Sequence, residues 1–439
     1  MVHQSAAKSL FLLPLDWLHL RGQLRRMRNG VRLARRVWRV KRNYARVLKR
    51  IRAKPKNEKV RVLFLCGEPA KWKCQKLYEA MRDSGVFEPI VGLTDWNMQR
   101  EERCTDAELD VLHMAAESFF DTLGDAHVRT YSISPRRGKD LRVFSPDIVF
   151  YSEPWSPRKD QTSEPVSEYA LTFYISYFTP NYGKIGTDSQ QPLHRFLFGY
   201  VTLNDWWKKI YRDARRPWNH AAEFLPLGFP SLDGFIMDEN AHPDDGPVIY
   251  APHFSFPTKL EGRFLFPIST FDWNGEAILQ YAKEHAAFGW VFKPHPILRR
   301  YLVESGIWSK ARTDAYYAEW EKLGVACYDG DYQDLFLRSR VLVTDSASFL
   351  TEYGATGKPV VHLIRKDNGV VPFPPSKAVY DTYYQVSDMN ELQCVFKMVL
   401  EDGCDPLKDE RLAAVRAAGI AKSHASENIV AYLRTLIKR

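Results

Sequence analysis

The sequence lacks most of the features that assign a function quickly. Its six cysteines, Cys66, Cys74, Cys104, Cys327, Cys394 and Cys404, form no C-x-x-C pair. Neither a zinc site nor a disulfide framework is signalled, no metal or cofactor is expected, and a reducing cytosol is the simplest home. No apolar run reaches the ~20 residues of a spanning helix. The run near the N-terminus, Leu10-Phe11-Leu12-Leu13-Pro14-Leu15, stops at Asp16, and its arginines follow it where those of a signal peptide would precede it. There is no G-x-G-x-x-G; Gly67-Glu68-Pro69 is a lone glycine turn and weak evidence for a dinucleotide. Residues 17–57 contain no acid.

That last absence organises the charge. The same stretch holds sixteen Lys or Arg, so in a chain of formal net charge +9 the remainder is net negative. Leu33, Val37, Val40, Tyr44, Val47 or Leu48, and Ile51 recur at three- and four-residue steps, which predicts a basic amphipathic helix. Such a helix can lie on an anionic bilayer, bind nucleic acid or pack on the protein's own acidic body. Trp17, Leu18 and the apolar run before them favour an anionic membrane surface, met by residues 8–52. Nucleic acid is not expected, because the body has no recognised binding motif and carries the wrong sign of charge.

What is present is ample material for cores: 439 residues, 45% hydrophobic and 13% aromatic, long enough for two domains beyond the arm. After Lys54-Pro55-Lys56-Asn57, apolar strands alternate with helices: a strand from Val60, a helix from about Lys71 to Arg82, a strand at Pro89 to Leu93, a helix over Asp106 to Leu123, and strands near His127 to Ile133 and Pro146 to Tyr151. Leu171 to Pro230 is aromatic and turn-rich, and an acidic linker spans Asp238 to Pro247. A second alternation begins at Val248 and includes an expected strand at Val325 to Tyr328 and a closing helix at Glu427 to Lys438. The pattern predicts an α/β chain of two doubly wound, Rossmann-like domains facing across a cleft. The expected partition is an arm at 1–57, an acceptor-side domain at 58–237 and a nucleotide-donor domain at 238–439.

Two segments of the second alternation carry chemistry. Val341 to Leu363 reads as a strand, a turn of Thr344-Asp345-Ser346-Ala347-Ser348, a helix, and a strand after Gly357-Lys358-Pro359. Hydroxyls and backbone N–H groups where a helix begins suit a phosphate, although Asp345 or Ser346 could equally cap the helix. One unit earlier, Trp290 to Pro296 ends a strand in Lys293 and His295, with Pro294 and Pro296 stopping both helix and ladder. Ala251-Pro252-His253 ends another strand. Lys184, in a glycine turn, is a further candidate, and Gly330 and Asp331 end one more strand.

This constellation resembles the CDP-glycerol:poly(glycerophosphate) glycerophosphotransferases, the teichoic acid and capsule polymerase group. Members carry an HP dipeptide after a strand and, about fifty residues on, a T-D-Y-S-S motif followed by an acid and an aromatic. The matches are His295-Pro296, Thr344 to Ser348, and Glu352-Tyr353, and the resemblance covers about Tyr174 to Leu363. The chain departs at Ser346 and Ala347, which replace the motif's tyrosine and first serine. The family's His-Gly motif also has no histidine here, its place being taken by Tyr182-Gly183-Lys184.

The resemblance implies a GT-B fold and peripheral association with the cytoplasmic face of the cell membrane. It implies transfer of an alditol phosphate, glycerol phosphate foremost, from a CDP-alditol to a hydroxyl of a lipid-linked or polysaccharide acceptor, with release of CMP. On this reading His295 or His253 takes the acceptor proton, and Lys184 stands where the missing histidine would. Lys293, Thr344, Asp345, Ser346 and Ser348 bind the donor, Glu352 reaches a ribose hydroxyl, and Gly330 and Asp331 border the base. A GT-B glycosyltransferase or epimerase acting on a sugar nucleotide is the rival, and a non-catalytic membrane-bound scaffold is the reading from a different class.

Overall fold

Strands of a parallel sheet covered on both faces read as continuous apolar runs, and the first sheet begins with one. Val60–Cys66 (β1) leaves only Arg61 short of full burial. The computed structural model of the chain describes residues 12–95, 105–133, 137–154, 158–179, 192–215, 223–235, 246–256, 259–260, 263–264, 267–323, 332–366, 372–421 and 423–438.

After β1 come helix Gln75–Asp83 (α2), strand Phe87–Leu93 (β2), helix Asp106–Leu123 (α3) and strands His127–Arg129 (β3), Ile148–Tyr151 (β4), Leu171–Tyr174 (β5) and Gly199–Thr202 (β6). Helix Asp205–Arg215 (α4) and strand Glu223–Pro226 (β7) complete the set. These strands pair in parallel in the order β3-β2-β1-β4-β5-β6-β7. The aromatic stretch after Leu171 thus supplies three further parallel strands.

The second sheet is built from Val248–Ala251 (β8), Val291–Phe292 (β9), Val341–Thr344 (β10), Val360–Leu363 (β11) and Tyr384–Val386 (β12), parallel in the order β9-β8-β10-β11-β12. Its helices include Phe271–Glu284 (α5), Lys310–Lys322 (α6), Gln333–Arg338 (α7) and Ala347–Gly354 (α8). Tyr316, Tyr317 and Trp320 of α6 are buried and pack on Phe292, with Trp320 also against Tyr250. The doubly wound α/β expectation holds for both sheets, each of which reverses strand order once. The reversal lies between β1 and β4 in the first sheet and between β8 and β10 in the second. Loops leaving the two strands at a reversal diverge, so a crevice opens at their carboxyl ends.

Two expected elements take a different form or place. The helix expected from Lys71 begins only at Gln75. Pro69 instead starts a short 3-10 turn, Pro69–Lys71, and buried Trp72 packs edge-on against Phe64, Tyr78 and Phe120. The expected strand at Val325 to Tyr328 lies outside the described residues.

Leu12–Ala53 (α1) is a single helix, and its inner stripe decides one of the open readings. Val40, Tyr44, Val47 and Ile51 are buried in the core beneath the first sheet. The Tyr44 hydroxyl bonds the Phe196 carbonyl at 2.6 Å, Arg39 pairs with Glu164 at 2.8 Å, and Lys54 pairs with buried Asp147 at 2.6 Å. The stripe read from Leu33 to Ile51 is therefore spent on the protein's own body and does not face a bilayer. An opposite stripe stays in solvent, with Met27 68% and Trp38 63% exposed, Val31 between them, and the Arg42 guanidinium over the Trp38 ring. Among the described residues no helix is long and apolar enough to cross a membrane.

The last helix, Ala425–Ile437 (α9), returns to the first sheet's core, where Ile429, Leu433 and Ile437 are buried. Its first turn is capped from afar: both Asp233 carboxylate oxygens accept backbone N–H bonds, from Ala425 at 2.8 Å and Ser426 at 2.6 Å. Arg52 of α1 donates to the Leu436 carbonyl near its other end.

The two stripes of α1 give opposite expectations. Ile51→Ala empties a fully buried site and should cost about 2–4 kcal/mol in urea unfolding, whereas Trp38→Ala should stay within about 0.5 kcal/mol.

Candidate active site

Three neighbouring strand ends build the second half's crevice. Pro252 and His253 follow β8, Lys293-Pro294-His295-Pro296 follows β9, and Asp345 and Ser346 follow β10 and lead into α8. Backbone bonds set the spacing: Lys293 N–H donates to the Tyr250 carbonyl at 2.8 Å and His295 N–H to the Pro252 carbonyl at 3.0 Å. The proline beside each polar residue ends the ladder, so the side chains leave the sheet at its carboxyl edge.

Asp345 is buried and faces inward. Its carboxylate accepts from the His253 N–H at 2.5 Å, the Thr270 N–H at 2.6 Å and the Thr270 hydroxyl at 2.9 Å. Burial pushes its pKa up to about 6 against the pull of those bonds. It is neither the cap of α8 nor aimed at the mouth of the crevice. Thr344 is likewise structural in geometry, its hydroxyl donating to the Ala251 carbonyl at 2.6 Å and accepting the Ser346 N–H at 2.9 Å. Ser346 stands at the N-cap position of α8 without a side-chain cap bond, and Ser348 lies in the first turn. The helix start thus keeps its backbone donors and these hydroxyls together at the crevice.

The two histidines sit side by side, ring centroids 5.0 Å apart, with the Phe254 ring 4.4 Å from His295. Their protonation follows from their neighbours. His295 Nδ1 accepts the Ile297 N–H at 3.2 Å, and His253 Nδ1 accepts the Ser255 N–H at 3.2 Å. A backbone N–H can only donate, so in each neutral ring the proton rests on Nε2. Burial, then Lys293 and Lys71, lowers the His295 pKa to about 4; burial, then His295, holds that of His253 well below its usual value. Both rings are therefore neutral near pH 7 and present Nε2–H donors. The expectation that one of them takes a proton from the acceptor does not fit this arrangement, because the nitrogen able to accept is already used by the backbone.

Lys293 is buried, its ammonium 5.3 Å from the centre of the Tyr332 ring. Tyr332 joins the two halves: Lys73, from the loop after β1, donates to its hydroxyl and lies 4.0 Å from its ring centre. The Tyr332 hydroxyl donates in turn to the buried Glu352 carboxylate, whose pKa burial raises while Lys73 and this bond pull it down. Glu352 lies one helical turn beyond Ser348 in α8 and already holds a protein donor. Lys184, Gly330 and Asp331 lie outside the described residues.

The facing crevice of the first half holds residues that the sequence reading did not single out. Glu153, just beyond β4, accepts the Gly67 N–H at 2.7 Å and pairs with Lys71 at 3.3 Å, which also bonds Glu68 at 2.9 Å. These contacts bridge β1 and β4 where the strand order reverses. The signal available in the sequence was an acid and a Gly-Glu-Pro-Ala-Lys turn directly after apolar strands, which gains meaning only once strand order is known. Among the described residues no group of three or more His, Cys, Asp or Glu side chains could hold a metal ion.

The buried histidines tie stability to pH. The folded pKa of His295 lies below its unfolded value, so the folded state binds fewer protons between pH ~6.5 and ~4 and stability falls as pH drops through that window. His295→Gln should flatten this slope in urea titrations by about 1–2 kcal/mol over that window; an unchanged slope would place the titration elsewhere.

No protein-family model matches the sequence, and no curated protein matches it. Solved structures match by fold. A variant of the wall teichoic acid polymerase TagF superposes with a TM-score of 0.56 at 14% identity, over 93% of this chain and 98% of that one. A UDP-GlcNAc 2-epimerase from Neisseria meningitidis bound to UDP-GlcNAc gives 0.50 at 14% identity, over 86% of this chain and 100% of that one. The S. aureus MnaA–UDP structure gives 0.51 at 12% identity, over 86% and 97%. With TagF among its structural neighbours alongside these epimerases, the chain has the two-sheet architecture of GT-B enzymes.

Proposed function

We propose that the chain transfers an alditol phosphate, glycerol phosphate foremost, from a CDP-alditol to a hydroxyl of a lipid-linked or polysaccharide acceptor and releases CMP. The observation that carries this reading is the second crevice: a buried ammonium, two Nε2–H donors and the start of α8 stand at three neighbouring strand ends of one sheet. Such a set suits a diphosphate, whose transfer demands stabilisation of charge on the phosphoryl oxygens and the leaving group and little covalent help. The sequence constellation at His295-Pro296 and Thr344 to Ser348 supports CDP as the nucleotide. So does the likeness to TagF, one variant of which was soaked with CDPG.

In the proposed step the acceptor oxygen attacks the phosphorus nearest the alditol. The bond from that phosphorus to the CMP oxygen breaks, and CMP keeps the electron pair. Lys293 and the Nε2–H groups of His295 and His253 hold the phosphoryl oxygens, Ser346, Ser348 and the α8 N-terminus hold the CMP phosphate, and Glu352 meets the ribose. Alanine at His295 removes one of these donors and should cost about 10²–10³ in kcat.

Calorimetry on the full chain tests the donor. CDP-glycerol or CDP-ribitol and CMP should bind, and Ser348→Ala should weaken them about tenfold. Preference for UDP-N-acetylglucosamine would move the assignment to a sugar-nucleotide glycosyltransferase or epimerase, which the likeness to the epimerases favours. Silence from every nucleotide, with lipid binding intact, would leave a membrane-bound scaffold.

We also propose that the acceptor is reached at the cytoplasmic face of a membrane, where the outward stripe of α1 meets anionic lipid. Met27, Val31 and Trp38 stand there among arginines. The protein should co-sediment with phosphatidylglycerol vesicles and not with phosphatidylcholine ones. Replacing Val31 and Trp38 together by Glu should abolish this; retention in the double variant would detach the stripe from membrane binding.

A further inference from the structure

We infer that Glu153 is the catalytic base that takes the proton from the acceptor hydroxyl, with Lys71 as the cation that covers it until the donor arrives. The inference rests on the transferase reading and assigns the half of the reaction that reading leaves open. An in-line displacement brings the attacking oxygen in on the side of the phosphorus opposite the leaving group. CMP departs into the second half's crevice, so the acceptor enters from the first half. The proton acceptor belongs there too, and the histidines are on the wrong side with their accepting nitrogens already occupied.

In the first half the strand order reverses between β1 and β4, the place where an open α/β sheet takes its ligands. Glu153 follows β4 and reaches across the reversal to the loop after β1, its Oε1 on the Gly67 N–H at 2.7 Å and its Oε2 at 3.3 Å from the Lys71 ammonium. Asp95, a carboxylate buried just after β2, is held by Arg158 at 2.6 Å away from the reversal. The Lys71 charge also reaches His295 of the second half, whose pKa it helps to lower after burial and Lys293. The Glu153 side chain is 1% exposed and that of Lys71 19%, so the ammonium is the outer member of the pair.

These positions define an order of events. A bound diphosphate attracts the Lys71 ammonium, which turns from Oε2 onto a phosphoryl oxygen and opens the carboxylate to the acceptor. The acceptor O–H bond then breaks toward Oε2 as the acceptor O–P bond forms and the P–O bond to CMP breaks. The proton ends on Glu153, the electron pair on CMP, and Glu153 returns the proton to water after CMP leaves. Acceptor activation therefore waits for the donor.

The test uses the full chain, CDP-glycerol as donor and a short-chain glycerol phosphate lipid as acceptor, with CMP release as the readout. Glu153→Gln keeps the shape and an oxygen for the Gly67 N–H. It should lower kcat about 10²–10⁴-fold, while CMP affinity and melting temperature stay near wild type. Glu153→Asp retains a carboxylate and should run about tenfold or more faster than the Gln variant. Turnover by Glu153→Gln within a few-fold of wild type overturns the inference, as do equal losses in the Asp and Gln variants, because a carboxylate that matters only for packing gives that pattern. Wild-type protein that binds CMP and releases none from any CDP-alditol overturns the transferase reading itself, and this base with it.

Discussion

A single buried carboxylate fixes the geometry of the second half's crevice. Asp345 takes hydrogen bonds from the His253 and Thr270 backbones and from the Thr270 hydroxyl, and so ties the end of β10 to the end of β8 and the start of α5. The network runs on: the Asn274 amide donates to the Thr270 hydroxyl at 2.8 Å, and the Tyr250 hydroxyl donates to Asn274 at 2.6 Å. Withdrawing a carboxylate from water is expensive, and only short, well-aimed donors offset it. Having met that cost, the chain has two strand ends and a helix start whose mutual position cannot drift without stranding buried polar groups, and the Lys293 and His295 N–H bonds to the Tyr250 and Pro252 carbonyls tie the end of β9 to them. The imidazoles and the ammonium inherit that rigidity, and donors held in place in this way stabilise charge without having to rearrange.

The two halves bring unlike equipment to the cleft. The second supplies neutral N–H donors and a buried ammonium; the first supplies carboxylates held by lysines. Lys73, Tyr332 and Glu352 form a chain of polar contacts between them, with a cation at one end and a carboxylate at the other. Any ligand hydroxyl that approaches Glu352 competes with the Tyr332 hydroxyl, so occupancy of this crevice and the contact between halves draw on the same groups.

How much of this was legible depended on whether the signal was local. Helix α3 runs from Asp106 to Leu123 as the sequence pattern indicates, because its ends are marked nearby by a Thr105–Glu108 capping box and by Gly124 in the left-handed region. The strand ends at Lys293, His295 and Thr344 were equally readable, each being an apolar run stopped by proline or by a polar turn. The roles of their side chains were not. That His295 donates follows from the Ile297 N–H, and that Asp345 points inward follows from Thr270, which lies far away in sequence. Glu153 and Lys71 depend on strand order, which no local pattern encodes. The apolar stripe of α1 has the same period whether it meets lipid or protein, and only the core beneath it, with Tyr44 on the Phe196 carbonyl, decides.

The route of α9 bears on how the chain comes to be folded. The core under the first sheet is closed on one side by α1 and on another by a helix from the far end of the sequence, whose first turn is capped by Asp233. A ribosome delivers β1 to β7 long before Ala425 emerges, so the first-made sheet must wait with apolar surface uncovered while the second sheet assembles. The half translated first is thus the half completed last. Loosening the final helix would reopen the older core, because Ile429, Leu433 and Ile437 are buried in it.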